Sequence, residues 1–322
     1  MELMPNISLH HPATVEEAIA AYTGGNSSRY LAGGSDMLVN IRRGIEHPDS
    51  LVYLNGIPEM HGISNNSLGI TIGASTVLRE IAESEVLQQC CTALATAAGE
   101  VAGPSHREYG TLGGNLCLDT RCIYYNQSEW WRSANDYCLK HRGEICHVAP
   151  GGKRCFATFS GDLAPALLLF DAEVELAGVT GRRRIPLTQF YRDDGMDHLT
   201  LSDGEILLAV HLPFPPDYIA TGYAKSRIRG SIDFPLAGVA VRLGVIDSKI
   251  NDLRVGLTGV SPLPFLSNGL DKYLGNEVNE TFLESLRDHV RAQAKAMKTS
   301  MTPPHYRRRV AGGLAQKIAE AI

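Results

Sequence analysis

Gly110-Thr111-Leu112-Gly113-Gly114-Asn115-Leu116 follows an Ala-rich helical stretch and leads into further apolar sequence. A related stretch, Leu31-Ala32-Gly33-Gly34-Ser35-Asp36-Met37-Leu38, follows a strand pattern at 29–32 and opens an apolar-periodic helix toward residue 43. Glycine lets a backbone approach a ligand closely, and successive N–H groups at a helix start can cradle phosphate oxygens. Neither stretch is a G-x-G-x-x-G fingerprint, and no G-x-x-x-x-G-K-[ST] loop occurs. The residues leave two readings open: tight turns and nothing more, or a cradle for a diphosphate.

Working outward, Thr14-Val15-Glu16-Glu17 reads as a capping box that opens a helix through 22. With strands at 29–32 and 50–55, the opening is a small β–glycine turn–α–β unit. Beyond it the pattern gives a strand at 68–72, a helix capped by Ser75-Thr76 and running to 82, and a single longer helix over 86–101. After Asn115 regularity lapses for roughly forty residues and returns with an apolar helix at 163–170. A hairpin across Gly178-Val179-Thr180-Gly181 and a strand at 205–212 follow. Pro213, Pro215 and Pro216 mark a domain boundary, because proline breaks helices and central strands alike. Three long strand patterns (221–229, 235–246, 249–260) and two helices (278–297, 304–321) complete the chain.

The 322 residues suit two domains, and 44% hydrophobic with 20% charged residues is a globular composition. A net charge of −5 argues against nucleic-acid binding, and no apolar run approaches a bilayer span. The opening Met1-Glu2-Leu3-Met4-Pro5 lacks a basic and then apolar leader, so a cytoplasmic protein is expected. Seven cysteines in a reducing compartment are then thiols, metal ligands or redox groups.

Cys122, Cys138, Cys146 and Cys155, with 15, 7 and 8 residues between them, all lie where periodicity is lost. A long structureless loop in a compact domain needs a cause, and a metal clip is one. Four thiolates can hold Zn²⁺ or an iron–sulfur cube; the absence of C-x₂₋₄-C pairs among these four weakens zinc without excluding it. Four unrelated thiols are the remaining alternative. Cys90 and Cys91 read as core thiols, and Cys117, next to the second glycine turn, is a fifth candidate ligand.

The ordered set of both glycine turns, Ser160-Gly161-Asp162-Leu163-Ala164-Pro165-Ala166-Leu167-Leu168, the strand at 206–213 and the segment after Pro216 resembles the flavin subunits of the xanthine dehydrogenase and carbon monoxide dehydrogenase family over nearly the whole chain. The resemblance implies an α+β oxidoreductase subunit. It would have a two-part FAD-binding domain of the PCMH/CO-dehydrogenase flavoprotein type at 1–216 (parts 1–56 and 57–216) and a C-terminal antiparallel sheet with helices at 217–322. It also implies that Leu31, Ala32, Gly33, Gly34, Ser35, Asp36 and Met37, with Gly113, Gly114 and Asn115, hold the pyrophosphate and ribityl chain of FAD. Thr111 and Asp162 would add hydrogen bonds, Leu207 would lie on the adenine-side strand, and Lys225 would lie near the isoalloxazine. Asp162 could equally be a helix N-cap, and Lys225 a solvated strand residue.

Most members need far fewer than the 46 residues that separate Asn115 from Asp162 here. An insertion at about 119–158 with four cysteines is similar to that in the flavin subunits of 4-hydroxybenzoyl-CoA reductases. That likeness implies a [4Fe–4S] cluster on Cys122, Cys138, Cys146 and Cys155, and a heterohexamer with a molybdopterin-cofactor subunit and a [2Fe–2S] subunit. Ferredoxin would be the electron donor, and substrate chemistry would lie on the molybdenum subunit, leaving no catalytic acid or base here. The alternative is a flavin subunit of a molybdenum hydroxylase that passes electrons to NAD or another acceptor. Residues 120–155 hold six Lys/Arg against three acids. Those cations either offset the charge of a thiolate-bound cluster or steer an acidic carrier protein.

Overall fold

The computed structural model describes residues 4–25 and 27–322. Three short parallel strands come first, β1 (Ser8–His10), β2 (Ser28–Leu31) and β3 (Ser50–Tyr53), in the order β1-β3-β2. Parallel neighbours need crossovers, which α1 (Val15–Thr23) and α2 (Met37–Arg42) supply. The Thr14 hydroxyl accepts from the Glu17 N–H at 3.2 Å, and the Glu17 carboxylate accepts from the Ala13 N–H at 2.8 Å. The capping box therefore forms, with its return bond one residue early. The sequence gives no sign of β1, because its three exposed residues carry no alternation.

The middle of the chain builds a five-stranded antiparallel sheet, β4-β5-β8-β6-β7, from β4 (Ile63–Asn66), β5 (Gly69–Gly73), β6 (Glu173–Gly178), β7 (Gly181–Pro186) and β8 (Ile206–Leu212). Between β5 and β6 run α3 (Leu78–Glu83), α4 (Glu85–Cys90), α5 (Thr92–Glu100), α6 (Pro104–Arg107), α7 (Leu112–Leu116), α8 (Glu129–Ala134) and α9 (Leu163–Leu168). The single helix expected over 86–101 is two helices. The chain leaves helical space at Cys91 (φ −135°, ψ 47°), and the break turns the apolar face of α5 (Ala93, Leu94, Ala97, Ala98) into the core. Ser75 and Thr76 are not caps either. Helix α3 begins only after Val77, while Thr76 donates to the Gly62 carbonyl at 3.1 Å.

The last third is an antiparallel sheet, β12-β11-β10-β9, from β9 (Ile219–Ser226), β10 (Ala237–Ile246), β11 (Lys249–Thr258) and β12 (Phe265–Leu266). Helices α10 (Glu280–Gln293) and α11 (Pro304–Ala321) cover one face, burying Val239, Val241, Leu257, Leu286 and Val290 among others. Each fully buried Val or Leu of this kind contributes about 1.5–3 kcal/mol. The Asn279 side chain caps α10 by accepting from the Phe282 N–H at 3.0 Å, and Pro304 sits at the first position of α11, where proline is tolerated. The other face packs on α5 and α9. A Cβ on Gly256 would lie 2.3 Å from the Pro165 carbonyl oxygen, so only glycine admits α9 so close to β11.

The cysteine-bearing insertion is not structureless, contrary to the sequence reading. Backbone pairing between Arg121 and Thr158, 2.8 Å in both directions, closes its neck. Helix α8, capped by Ser128, lies inside it. The fully buried Arg132 donates to the Gly44 carbonyl and, at 2.7 Å, to Glu129, fixing the insertion to the first unit. Ile123 N–H donates to the Thr299 carbonyl at 2.9 Å, fixing it to the C-terminal part.

Candidate functional site

The two glycine stretches meet across one cavity of about 630 Å³, between the parallel unit and the five-stranded sheet. Ala32, Gly33, Gly34, Ser35, Asp36 and Met37 line it from one side. Thr111, Gly113, Gly114 and Asn115 line it from the other, with Asp162 and Leu207 completing the set. Two expected residues lie elsewhere. Leu31 is buried in a small cluster with Ile41 and Leu51. Lys225 is not on the cavity wall: its ammonium lies behind Asp162, 3.0 Å from Oδ1, with 1% of its side chain exposed. Tyr223 donates to the same oxygen at 2.6 Å. Burial pushes the Asp162 carboxyl up, and Lys225 and Tyr223 pull against it.

The turns differ in what they offer. At the second, every N–H from Leu112 to Asn115 is already bonded: Leu112 to the Thr76 carbonyl, Gly113 to the Ala74 carbonyl, Gly114 to the Thr111 hydroxyl, and Asn115 to the Thr111 carbonyl. At the first, the N–H groups of Gly33, Gly34, Ser35 and Asp36 have no partner among the described residues. Free donors for a diphosphate therefore come from the first turn alone. The glycines differ as well. A Cβ on Gly33 would lie 1.8 Å from the Tyr109 carbonyl oxygen, so that glycine is required by the approach of the two turns. Gly34 has φ +70°. A Cβ on Gly114 would meet only the Thr111 hydroxyl, at 3.2 Å.

Four cavity residues escaped sequence reasoning. Asn40 Oδ1, Ser75 Oγ and His106 Nδ1 are buried without a hydrogen-bond partner and sit in the wall. Arg121 pairs with Asp36 and lies 4.6 Å over the Phe234 ring, closing one end. Asn40 was findable, since it stands one helical turn after Asp36 and donates to it at 3.0 Å. Ser75 was misassigned to a cap, and nothing in the sequence near His106 or Arg121 points to this cavity.

Cys122, Cys138, Cys146 and Cys155 are all buried and line a second, small cavity, together with Lys140 and Tyr125. Burial pushes the Cys122 thiol up to about 12 and the Cys155 thiol to about 11. Among the described residues, no three His, Cys, Asp or Glu side chains close round one point as a single metal ion requires. Cys117 lines the large cavity instead, and Cys90 and Cys91 lie at the α4–α5 break. One ion pair joins the linings of the two cavities. Lys140, on the cysteine side, makes a 2.6 Å ion pair with Asp119, on the other.

The family profile described as the FAD binding domain in molybdopterin dehydrogenase matches residues 5–215, and that of the CO dehydrogenase flavoprotein C-terminal domain matches 222–322. The chain belongs to the FAD-binding subunits of the molybdopterin dehydrogenases. It is 31% identical over 262 residues to the FAD-binding subunit of an aldehyde oxidoreductase from Escherichia coli K12, covering 77% of this chain and 79% of that one. It is 25% identical over 321 residues to the carbon monoxide dehydrogenase medium chain of Hydrogenophaga pseudoflava, covering 98% and 97%. A solved structure of carbon monoxide dehydrogenase from the same organism superposes with a TM-score of 0.81, over 99% of this chain and 98% of that chain, at 22% identity, so the fold is shared. As in a molybdopterin dehydrogenase flavin subunit, the large cavity fits FAD. It offers unbonded N–H groups at one turn, a Gly114 whose missing side chain would meet only the Thr111 hydroxyl, and three buried polar atoms without partners, which a polar ligand satisfies and an empty core would not tolerate. No helix of the described residues is long and apolar enough to cross a membrane.

Proposed function

We propose that this chain is the electron-transferring subunit of a reductase of the 4-hydroxybenzoyl-CoA type, with FAD in the large cavity and a [4Fe–4S] cluster on Cys122, Cys138, Cys146 and Cys155. On this reading it assembles with a molybdopterin-cofactor subunit and a [2Fe–2S] subunit in a heterohexamer, and reduced ferredoxin is the donor. The observation that carries it is the burial of all four insertion cysteines round one cavity, whose lining residue Lys140 pairs with Asp119 of the flavin cavity. A single tetrahedral Zn²⁺ needs four sulfurs about 2.3 Å from one point. Four buried thiols round one cavity are the donor set of an iron–sulfur cube, one thiolate to each iron, and equally of a zinc site, so metal analysis decides between them.

FAD and an iron–sulfur cube together supply one- and two-electron exchange; the chain's own residues bind and insulate. The first turn donates N–H groups to the diphosphate, Gly114 leaves room, and Asp162 is held in place by Lys225 and Tyr223. Phe234 and Arg121 cover one end. No residue here is assigned acid, base or nucleophile chemistry, which would lie on the molybdenum subunit. The relatives named as a dehydrogenase and an aldehyde oxidoreductase support a second reading, a hydroxylase flavin subunit that passes electrons from substrate to NAD or another acceptor. Iron, sulfide, zinc and flavin analysis of the purified chain tests the first. We expect iron and sulfide in equal amounts with FAD, loss of both in Cys138→Ser, and retention in Cys91→Ser. Zinc in place of iron, or full iron in Cys138→Ser, would sink the assignment.

A further inference from the structure

Arg307, on the first turn of α11, is 2% exposed, although nothing in the flavin site uses it. Its Nε donates to the Leu236 carbonyl at 2.9 Å, and its Nη1 donates to the Met297 carbonyl at 3.0 Å and to the Thr299 hydroxyl at 2.9 Å. Its Nη2 donates to the Gly259 carbonyl. All four acceptors are neutral, and no carboxylate pairs with it among the described residues. A buried charge without a counter-ion is expensive and normally has one.

The surroundings point to where the compensating charge would sit. The Thr299 hydroxyl that accepts from Arg307 is 2.7 Å from the Thr158 hydroxyl, at the neck of the cysteine insertion. The Thr299 carbonyl accepts from the N–H of Ile123, the residue after Cys122. Cys122 is therefore one residue away from the backbone N–H that shares Thr299 with the Arg307 guanidinium. Lys140, lining the cysteine cavity, is the useful contrast. Its charge is matched by Asp119 at 2.6 Å, whereas that of Arg307 is unmatched.

We infer that Arg307 is a positioning residue for the cysteine-held cluster: its unpaired guanidinium compensates the thiolate charge at Cys122 and thereby raises the cluster's reduction potential. The inference rests on the cluster reading above. Reduction adds one negative charge to a centre already negative through its four thiolates, and a buried cation nearby stabilises the reduced form more than the oxidised one. Helix α11 is thus coupled to the electron centre through Thr299 although it lies outside the insertion.

The test is a mediated redox titration of the purified full-length protein, followed by the electron paramagnetic resonance signal of the reduced cluster, with iron and sulfide counted on each sample. Arg307→Gln keeps a donor but removes the charge. We expect iron and sulfide to be retained, and the reduced-to-oxidised ratio at fixed poise to fall about tenfold, equivalent to about 59 mV for a one-electron couple. Arg307→Lys should restore most of it. An unchanged potential in a folded, iron-replete Arg307→Gln overturns the inference and leaves the cluster reading standing. A wild-type chain without iron and sulfide overturns both. If Arg307→Gln does not fold, Arg307→Lys decides: a potential within twofold of wild type in that ratio supports the charge role, and a tenfold fall removes it.

Discussion

Gly33 and Gly114 sit in matching motifs, yet the chain needs them for different reasons. Gly33 is pinned by the Tyr109 backbone, so Gly33→Ala should destabilise the protein by about 1–3 kcal/mol through overpacking, flavin present or not. Gly114→Val should fold, because its Cβ meets only the tip of Thr111, and should lose flavin because the branch enters the cavity. Thermal melts and the flavin-to-protein absorbance ratio separate the two; full flavin occupancy in Gly114→Val would remove that residue from the site. The buried Asp162–Lys225 pair gives a further contrast. Asp162→Asn leaves the Lys225 ammonium unpaired in the core and should cost about 3–5 kcal/mol, measurable as a lower denaturant midpoint. A change below 1 kcal/mol would mean the pair is not buried in solution. At this scale the sequence was legible where a residue type is rare in its context, as with the glycine pairs and Asp162. It was silent where an ordinary residue is placed by long-range folding: Ser75 and His106 reach the cavity only because β5, α3 and α6 converge there.

The elements show a similar division. Helices with a cap and a clean apolar stripe, such as α1 and α10, were readable because capping and periodicity are local. The break between α4 and α5 was not, since Cys91 has no helix-breaking chemistry and it is core packing that turns the chain. Nor was α8, a single-turn-scale helix whose stability comes from what Arg132 reaches across the fold. The basic residues of the insertion were counted correctly but their roles stayed open. In the structure they face partners: Lys140 to Asp119, Arg142 and Arg132 to Glu129, Arg154 to Asp193, and Arg121 to Asp36. Five of the six cations thus pair with carboxylates, an arrangement that neither account foresaw. Arg132→Ala should free the insertion from Gly44, so limited proteolysis within residues 119–158 should quicken while flavin content holds. Cleavage at the wild-type rate would show that the cysteines alone hold the insertion shut.

For the molecule as a whole, the protonation pattern sets how stability varies with pH. His198 is buried against the Leu118 carbonyl, and burial lowers it below its ordinary 6.5; burial lowers His141 likewise, helped by Arg132 and Arg142. A histidine held neutral in the fold contributes stability that is lost as pH falls below the unfolded value. Glu205 is lowered from 4.5 chiefly by its hydrogen bonds to Arg183, and Asp119 is lowered from 3.8 because Lys140 outweighs the opposing effect of burial. A depressed carboxyl contributes stability that is full above its unfolded value and disappears as pH falls through the folded one. These two histidines and two carboxylates act in the same direction, and Glu205 and Asp119 line the large cavity itself. Stability should therefore begin to fall near pH 6.5, fall further below about 4.5, and take flavin with it. Each kcal/mol lost should lower the melting temperature by roughly 2–4 °C. Glu205→Gln should lower the melting temperature at pH 7 yet flatten its decline between pH 5 and pH 4, because the neutral amide has no proton to gain there. Melting curves of wild type and variant at intervals across pH 8 to 4 decide the matter, and parallel declines would show that the Glu205–Arg183 pair contributes nothing to acid sensitivity.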